Sequence, residues 1–306
     1  MVGLCGCREG KPAPAGAVGL AAEGGPAATA AAPGAVVVAW ATWPMPNSTP
    51  GLPNPQSFDT QSASVVIDQV TGLMWQRNLG DKFVTFADAV QQCQELTLAG
   101  YDDWRLPSRV ELVSILDVTR TQPSINATAF PQTPNDWFWT SSVAADNPQA
   151  AWYVYFYFGY PKTDDVTNQF SVRCVRTATP RPALATRYDI QTDTVRDIGT
   201  GLTWERAVPA QTFAFDAARR YCSQLTLGGQ TGWRAPSLVE LLTLIDERAA
   251  VGPMIDTAAF PNTPSEAFWS SSYFGNSPGM AWQVYFDHGN GLYGLPNATF
   301  RVRCVI

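Results

Sequence analysis

The feature that most constrains this chain is an internal duplication. The stretch from Gly100 to Leu112, GYDDWRLPSRVEL, returns from Gly229 to Leu241 as GQTGWRAPSLVEL. Each copy carries a Trp-Arg pair, then a proline, then a Ser-x-x-Glu capping box. This order predicts a turn that leads directly into a capped helix.

The match extends on both sides of this turn and helix start, which we call the corner. Its anchors are a shared Thr-Gly-Leu-x-Trp core, a Trp-x-Ser-Ser segment and a Val-Arg-Cys-Val segment. The unit is too long for a solenoid repeat, whose period is about 20–50 residues, so each copy should be a complete domain. We predict domains at 64–177 and 188–306, joined by a linker at 178–187.

Each unit predicts the same order of elements. In the first, two short strands precede a helix from Phe86 to Leu96 and a second helix from Ser108 to about Asp117, with twins at 213–225 and 237–246. Short strands follow, and the last, Phe170 to Arg176, alternates in polarity. The fold class is therefore α+β: two tandem domains, each with two helices packed on short antiparallel strands.

Each unit holds two cysteines, one in its first helix and one in its last strand. Pairing Cys93 with Cys174, and Cys222 with Cys304, would join the ends of each domain. The alternative is four buried thiols, because cysteine packs well as a small apolar residue. Disulfides are favoured by the duplicated placement, and they imply an oxidising compartment.

Residues 1–63 are rich in Ala, Gly, Pro and small polar residues, which predicts a disordered tail and connector. Within the tail, Leu4 to Cys7 is similar to a bacterial lipobox, which makes Cys7 a candidate lipidation site. Only six residues precede it, whereas a signal peptide needs an apolar stretch of roughly 7–15 residues. A lipid at this cysteine would be the sole membrane attachment.

The charge of the chain excludes some partners. The net charge is −6, and no run of basic residues occurs, so nucleic acid is excluded because phosphate neutralisation needs clustered Lys or Arg. The same argument disfavours sulfated polysaccharides. No stretch reaches the roughly 20 apolar residues of a membrane span.

The sequence predicts no catalytic, cofactor or metal site. His288 is the only histidine, no Gly-x-Ser-x-Gly elbow is present, and no Cys-x-x-Cys pair is found. Calcium binding stays open as an alternative on two Asp/Asn-rich loops without EF-hand spacing. These loops contain Asp164, Asp165 and Asn168 in the first unit, and Asp287 and Asn290 in the second.

Two further features bear on binding. Arg105 and Arg234 could either bind an anion or pair with an internal carboxylate, and their presence in both copies favours the second role. The loops at 143–151, 157–169, 273–281 and 287–299 differ between copies and are rich in Tyr and Asn, as recognition surfaces are. The candidate ligand-binding residues are Tyr155, Tyr157, Tyr160, His288, Asn290 and Tyr293.

Taken together, the Thr-Gly-Leu-Met-Trp-Gln-Arg stretch (71–77), the Trp-Arg-Leu-Pro corner, Phe-Trp-Thr-Ser-Ser (138–142) and Val-Arg-Cys-Val (172–175) resemble the Lcl C-terminal domain family. This family is named for the C-terminal domain of the Legionella collagen-like adhesin. The second copy departs from the signature at Ala235. The resemblance implies a C-type-lectin-like fold, distantly similar to the formylglycine-generating enzyme, and association with glycosaminoglycan-like polysaccharides. It carries over no catalytic residue.

The leading hypothesis is therefore a non-catalytic protein that binds glycan or protein through its variable loops. We expect it in the cell envelope or extracellular space, as a periplasmic protein or an outer-membrane lipoprotein. Two alternatives stay open. One is an enzyme derived from a formylglycine-generating-enzyme-like fold, which would need a reactive thiol or a metal. The other is a structural module of an envelope assembly.

Overall fold

The computed structural model describes residues 40–80, 83–275 and 277–306. The tail, with the candidate lipidation site Cys7, lies outside these ranges. Within these ranges, the first repeat and the connector before it contain nine elements. They are β1 (Phe58–Asp59), β2 (Val65–Asp68), β3 (Leu73–Gln76), α1 (Phe86–Gln94), α2 (Arg109–Ser114), β4 (Trp137–Val143), β5 (Ala150–Tyr155), β6 (Tyr160–Asp165) and β7 (Val175–Thr177).

The second repeat follows the same plan. Its elements are β8 (Tyr188–Ile190), β9 (Thr194–Asp197), β10 (Thr203–Glu205), α3 (Phe215–Gln224), α4 (Leu238–Leu242), β11 (Ala267–Phe274), β12 (Ser277–Tyr285) and β13 (Gly291–Gly294). The strands form antiparallel sheets in the orders β1-β2-β3-β7 and β4-β5-β6, then β10-β9-β8 and β11-β12-β13. The architecture is α+β, as predicted, with two helices in each repeat.

The second helix of each repeat is shorter than predicted. Helix α2 ends at Ser114 rather than near Asp117, and α4 ends at Leu242. The Asp117 amide donates to the Ser124 carbonyl at 3.0 Å, and the Asp246 amide donates to the Met254 carbonyl at 2.9 Å. Because these donors bond to a neighbouring loop, the helical ladder cannot continue.

The predicted strand from Phe170 to Arg176 is regular only at its end, in β7. Its backbone hydrogen bonds are divided among Val84, Trp137, Trp139, Gln76 and Arg105, so no single partner strand forms a ladder along its whole length. The alternation is confirmed, because Phe170 packs in the cluster that holds the disulfide while Arg173 faces the opposite side. Strands β6 and β13 were not predicted, because their glycine and polar residues are not typical of strands.

The repeated corner is a structural element. Ser108 and Ser237 both close complete capping boxes with Glu111 and Glu240. Those same glutamates bind the corner arginines in bidentate pairs, at 2.6 and 2.7 Å for Arg105 and at 2.7 Å twice for Arg234. The prediction of an internal carboxylate partner for both arginines is confirmed.

The two predicted disulfides are present, joining Cys93 to Cys174 and Cys222 to Cys304. All four cysteines are fully buried, each pair inside an apolar cluster of its own repeat. The bonds therefore tie the first helix of each repeat to its last segment, and the four thiols are not free.

A buried carboxyl marks one difference between the repeats. Glu205 accepts hydrogen bonds from the Tyr221 hydroxyl at 2.7 Å and from the Cys304 amide at 3.0 Å. In the first repeat the equivalent acceptor is the neutral amide of Gln76, which the Cys174 amide contacts at 3.3 Å. Burial is the largest effect on Glu205 and raises its pKa.

We therefore expect Glu205→Gln to stabilise the protein modestly at neutral pH, by less than about 2 kcal/mol. Because the pKa of Glu205 is raised in the folded state, its contribution to the free energy of unfolding is complete below the ordinary carboxyl pKa. That contribution is lost as the pH rises through the raised pKa. Thermal unfolding between pH 4 and pH 8 should show the gap between variant and wild type widening with pH. A gap that narrows with rising pH would contradict this expectation.

The prediction that residues 1–63 are disordered is wrong for residues 40–63. Ala41, Trp43 and Met45 are buried in the largest apolar cluster. Asn47 donates to the Glu240 carboxylate of the second repeat at 3.0 Å, whereas Ser48 accepts from the Val118 amide of the first at 3.1 Å. A few large apolar side chains thus anchor a segment whose Pro-rich composition masked them.

The two repeats form one continuous body through equivalent elements, α2 against α4 and β6 against β13. An interface built from the same elements on both sides is the arrangement of a two-fold symmetric dimer, here within one chain. A single apolar cluster spans both repeats and includes Trp152 and Trp282. The repeats are therefore not independent modules on a flexible linker.

One buried ion pair breaks the symmetry of this interface. Arg109 Nε lies 2.9 Å from Glu247 Oε2, and the Ser142 hydroxyl donates to the other carboxylate oxygen at 2.7 Å. The guanidinium also donates to the Leu242 and Ile245 carbonyls at 3.1–3.4 Å. Burial lowers the pKa of Arg109 and raises that of Glu247, against their mutual attraction.

Candidate functional site

An aromatic strip on the first repeat, defined as Trp137, Tyr155 and Tyr157, is the strongest candidate for a binding surface. Trp137 begins β4 and pairs in register with Tyr155 at the end of β5. Their rings stack with centroids 5.1 Å apart, and Tyr155 stacks on Tyr157 at 5.7 Å, both at an interplanar angle of 18°. Strand pairing therefore places three rings in a parallel row.

The strip is supported from the core and partly exposed, with Tyr155 and Tyr157 half-buried. Trp137 is 36% exposed, although its ring also packs on Phe170 at 5.5 Å. A further exposed ring, Phe83 at 50% exposure, directly precedes Val84, whose backbone pairs with that of Phe170. Large aromatic surfaces left open to water are typical of ligand-binding sites.

A carboxyl group borders the strip. Asp136 accepts a hydrogen bond from the Trp137 amide at 2.8 Å, and burial raises its pKa. A carboxylate offers about four acceptor positions, of which this amide occupies one. The site thus combines apolar ring faces with an acidic acceptor.

The equivalent surface of the second repeat is a cleft instead of a row of rings. Ala267 takes the place of Trp137 and Asp287 takes that of Tyr157, while Tyr285 keeps the ring of Tyr155. The lost rings leave a cleft of about 270 Å³ lined by Glu266, Tyr285 and Asp287 among others. The two repeats therefore present different chemistry at the same position of the fold.

His288 and Asn290 lie next to Tyr285 and Asp287 of this cleft, and their role in binding stays a prediction. The His288 ring packs on Tyr285 at 5.2 Å, and its Nδ1 lies 3.4 Å from both an Asp287 oxygen and the Asn290 amide. The Asn290 side-chain oxygen is buried without a hydrogen-bond partner. These residues come together, but around a cleft and not a ring platform.

Tyr160 and Tyr293, by contrast, lie against the other repeat. Tyr160 contacts the Trp282 ring at 6.3 Å, and Phe158 contacts Tyr293 at 5.6 Å and Phe274 at 5.7 Å. Strands β6 and β13, which carry these tyrosines, thus contribute to the interface between repeats, which the variable-loop argument did not anticipate.

Sequence reasoning missed Trp137. The available signal was a large aromatic residue in the first copy that aligns with Ala267 in the second, immediately before the matched Phe-Trp pair. A core position would have kept its size in both copies, since both cores are closely packed. A difference of this size between copies is therefore typical of a surface position.

The candidate calcium loops are closed by local hydrogen bonds. Asp164 accepts from the Asn168 amide at 2.9 Å, and Asp165 accepts from the Thr167 hydroxyl at 2.6 Å. Among the described residues, no three His, Cys, Asp or Glu side chains converge as a metal site would require. Calcium binding there stays a prediction without a geometric argument in its favour.

The fold and its surfaces define a class of protein: a duplicated α+β module with a disulfide in each repeat and divergent surfaces at equivalent positions. The family model for the Lcl C-terminal domain matches residues 64–176 and 193–306, so the chain belongs to that family, in tandem. No curated protein matches the chain. Within the described ranges, no helix combines the length and apolar character that crossing a bilayer requires.

Proposed function

We propose that this protein is a non-catalytic binding protein of the cell envelope or extracellular space that recognises glycan through the aromatic strip. The observation that carries the proposal is the row of Trp137, Tyr155 and Tyr157, stacked in parallel at the surface. Membership of the Lcl C-terminal domain family and the two disulfides support the compartment.

The chemistry of the strip favours a neutral glycan. A pyranose ring presents a face of C–H groups, which the negative face of an aromatic ring attracts. Its hydroxyls would be bound by acceptors at the edge, as the Asp136 carboxyl is placed to do. An acidic border next to the rings would repel sulfate groups, consistent with the acidic net charge of the chain.

The test is binding of the full chain to an array of neutral and sulfated polysaccharides. We expect binding to neutral glycans, and Trp137→Ala or Tyr157→Ala should weaken it at least tenfold, because exposed aromatic anchors carry much of the binding energy at such sites. Tyr101→Ala is the matched control. This tyrosine is 40% exposed in the same repeat but packs on Arg176 instead of the strip.

Two results would defeat the proposal. Equal losses from Tyr101→Ala and Trp137→Ala would show that the effect is general, and preference for sulfated over neutral chains would remove the role of the strip. Capture of a protein ligand that is insensitive to Trp137→Ala would favour protein recognition at another surface. The full chain is needed, because residues 40–63 are part of the core.

The absence of catalysis is part of the proposal. Both cysteine pairs are bonded and buried, which leaves no thiol among these four for chemistry of the formylglycine-generating-enzyme type. Alkylation mass spectrometry without reductant should leave Cys93 and Cys222 unmodified. Modification of either residue would revive the enzyme alternative. Lipidation at Cys7 and the C-type-lectin-like superfamily assignment are further parts of the proposal, supported only by sequence resemblance.

A further inference from the structure

A second cleft lies in the second repeat, lined by different residues from the strip. Its volume is about 550 Å³. Arg219 and Arg220 of α3 and Arg234 of the corner line one side, and residues 49–52 line it as well. We call it the arginine cleft. The ordered connector is thus part of its wall.

The three arginines differ in how far their charge is already neutralised. Arg234 is held by the Glu240 carboxylate in a bidentate pair, and Arg219 lies 3.6 Å from Asp216. The Arg220 side chain is exposed and forms neither an ion pair nor a hydrogen bond within the part of the chain that the structure describes. The cleft therefore offers one uncompensated positive charge.

Arg219 is held in place for binding. Its guanidinium lies over the rings of Phe215 and Tyr273, at 5.6 and 5.9 Å from their centroids, and contacts the Tyr273 hydroxyl at 3.4 Å. A guanidinium that is positioned in this way loses less conformational entropy when a ligand binds. Arg219 and its neighbour Arg220 both line the cleft.

The fold does not require these arginines. At the equivalent positions of α1, the first repeat has Val90 and Gln91, and Ala87 where the second has Asp216. The first repeat nevertheless forms the same helix and the same disulfide. A structural role for the arginine pair is therefore not needed to explain the second repeat.

Besides Pro50, Gly51, Leu52 and Ala235, the rest of the lining is hydroxylic and acidic. Thr49, Ser223 and Ser271 contribute hydroxyl groups, and Asp216 contributes a carboxylate. One uncompensated positive charge matches a monoanion, and carboxylates bind guanidinium groups through charge-assisted hydrogen bonds. The hydroxyl and Asp216 groups match the hydroxyls of such a ligand.

We propose that the arginine cleft binds a small, hydroxylated monocarboxylic acid, with Arg220 and Arg219 on the carboxylate and the hydroxylic lining on the remainder. This site is independent of the aromatic strip. A neutral glycan on the first repeat and an acid on the second would be bound at the same time by one compact unit.

The experiment uses the full chain and a matched pair of probes, galacturonate and galactose, which differ only at C6, a carboxylate in the first and a hydroxymethyl group in the second. We expect galacturonate to bind at least tenfold more tightly by calorimetry, and Arg220→Gln to remove most of that difference. Arg196→Gln is the control, because it removes one exposed arginine from β9 of the same repeat, outside the lining of the cleft.

Equal affinity for the two sugars would overturn the proposal, as would an Arg220→Gln variant that binds galacturonate like the wild type. If inorganic phosphate binds the cleft more tightly than galacturonate does, the site is assigned to phosphate. That result would refute the proposal of a carboxylate ligand. Circular dichroism of each variant shows whether the fold is kept. Glycan binding by the strip is measured with the Trp137→Ala variant. Failure of one proposal can therefore be distinguished from failure of the other.

Discussion

Replacement of Glu247 by valine should destabilise the protein by about 3–5 kcal/mol, because it leaves the buried charge of Arg109 without a partner. Arg109→Leu should cost a similar amount by isolating the Glu247 carboxylate. Both side chains are almost fully buried, at 1% and 5% exposure. Urea unfolding at neutral pH measures each loss.

The chain supplies its own control for this experiment. At the positions equivalent to Arg109 and Glu247, the other repeat has Leu238 and Val118, and both are buried in the shared apolar cluster. The double variant Arg109→Leu with Glu247→Val makes the two sides of the interface alike. We expect it to recover more than half of the loss, because apolar replacement of a whole buried ion pair is often neutral or stabilising.

Additive losses in the double variant would contradict this interpretation. They would mean that the Ser142, Leu242 and Ile245 contacts, rather than the charge itself, hold the interface. Circular dichroism on each variant would separate a lost interface from an unfolded repeat.

Removal of one disulfide should have the second large effect. The bonds close loops of 81 and 82 residues, for which chain entropy alone suggests about 4.5 kcal/mol each as an upper figure. Cys93→Ala with Cys174→Ala should therefore cost about 2–4.5 kcal/mol. Cys222→Ala with Cys304→Ala should cost the same within error, and each variant serves as the control for the other.

The form of the transition is as informative as its midpoint. Because one apolar cluster spans both repeats, loss of either disulfide should shift a single cooperative transition. Two separate transitions, only one of them shifted, would show that the repeats unfold independently and that the interface contributes little.

Local features were predictable because their causes lie within a few residues. The capping boxes at Ser108 and Ser237, the pairing of Arg105 and Arg234 with a nearby glutamate, and the α+β order all follow from short spacings. The disulfide pairing also followed, since duplication left one cysteine in the first helix and one in the last strand of each unit.

Features with long-range causes were missed. Nothing in the connector's composition shows that Trp43 and Met45 pack in the core, because a Pro-rich segment contributes few buried side chains and depends on the surface it meets. Tyr157 and Tyr160 looked alike as candidates, yet Tyr160 lies against the other repeat and Tyr157 lies in the strip. Strand register and interface packing decide this, and neither is a local property.

The amino-acid sequence by itself therefore determined the duplicated unit, its turns and caps, its crosslinks and its family. The tertiary structure alone decided that the two units form one body and that the connector closes it. It also decided which divergent residues line an exposed aromatic strip or an arginine cleft. The physical reason is that sequence patterns report which residues are apolar or capped, whereas a binding surface depends on which apolar faces the fold leaves uncovered.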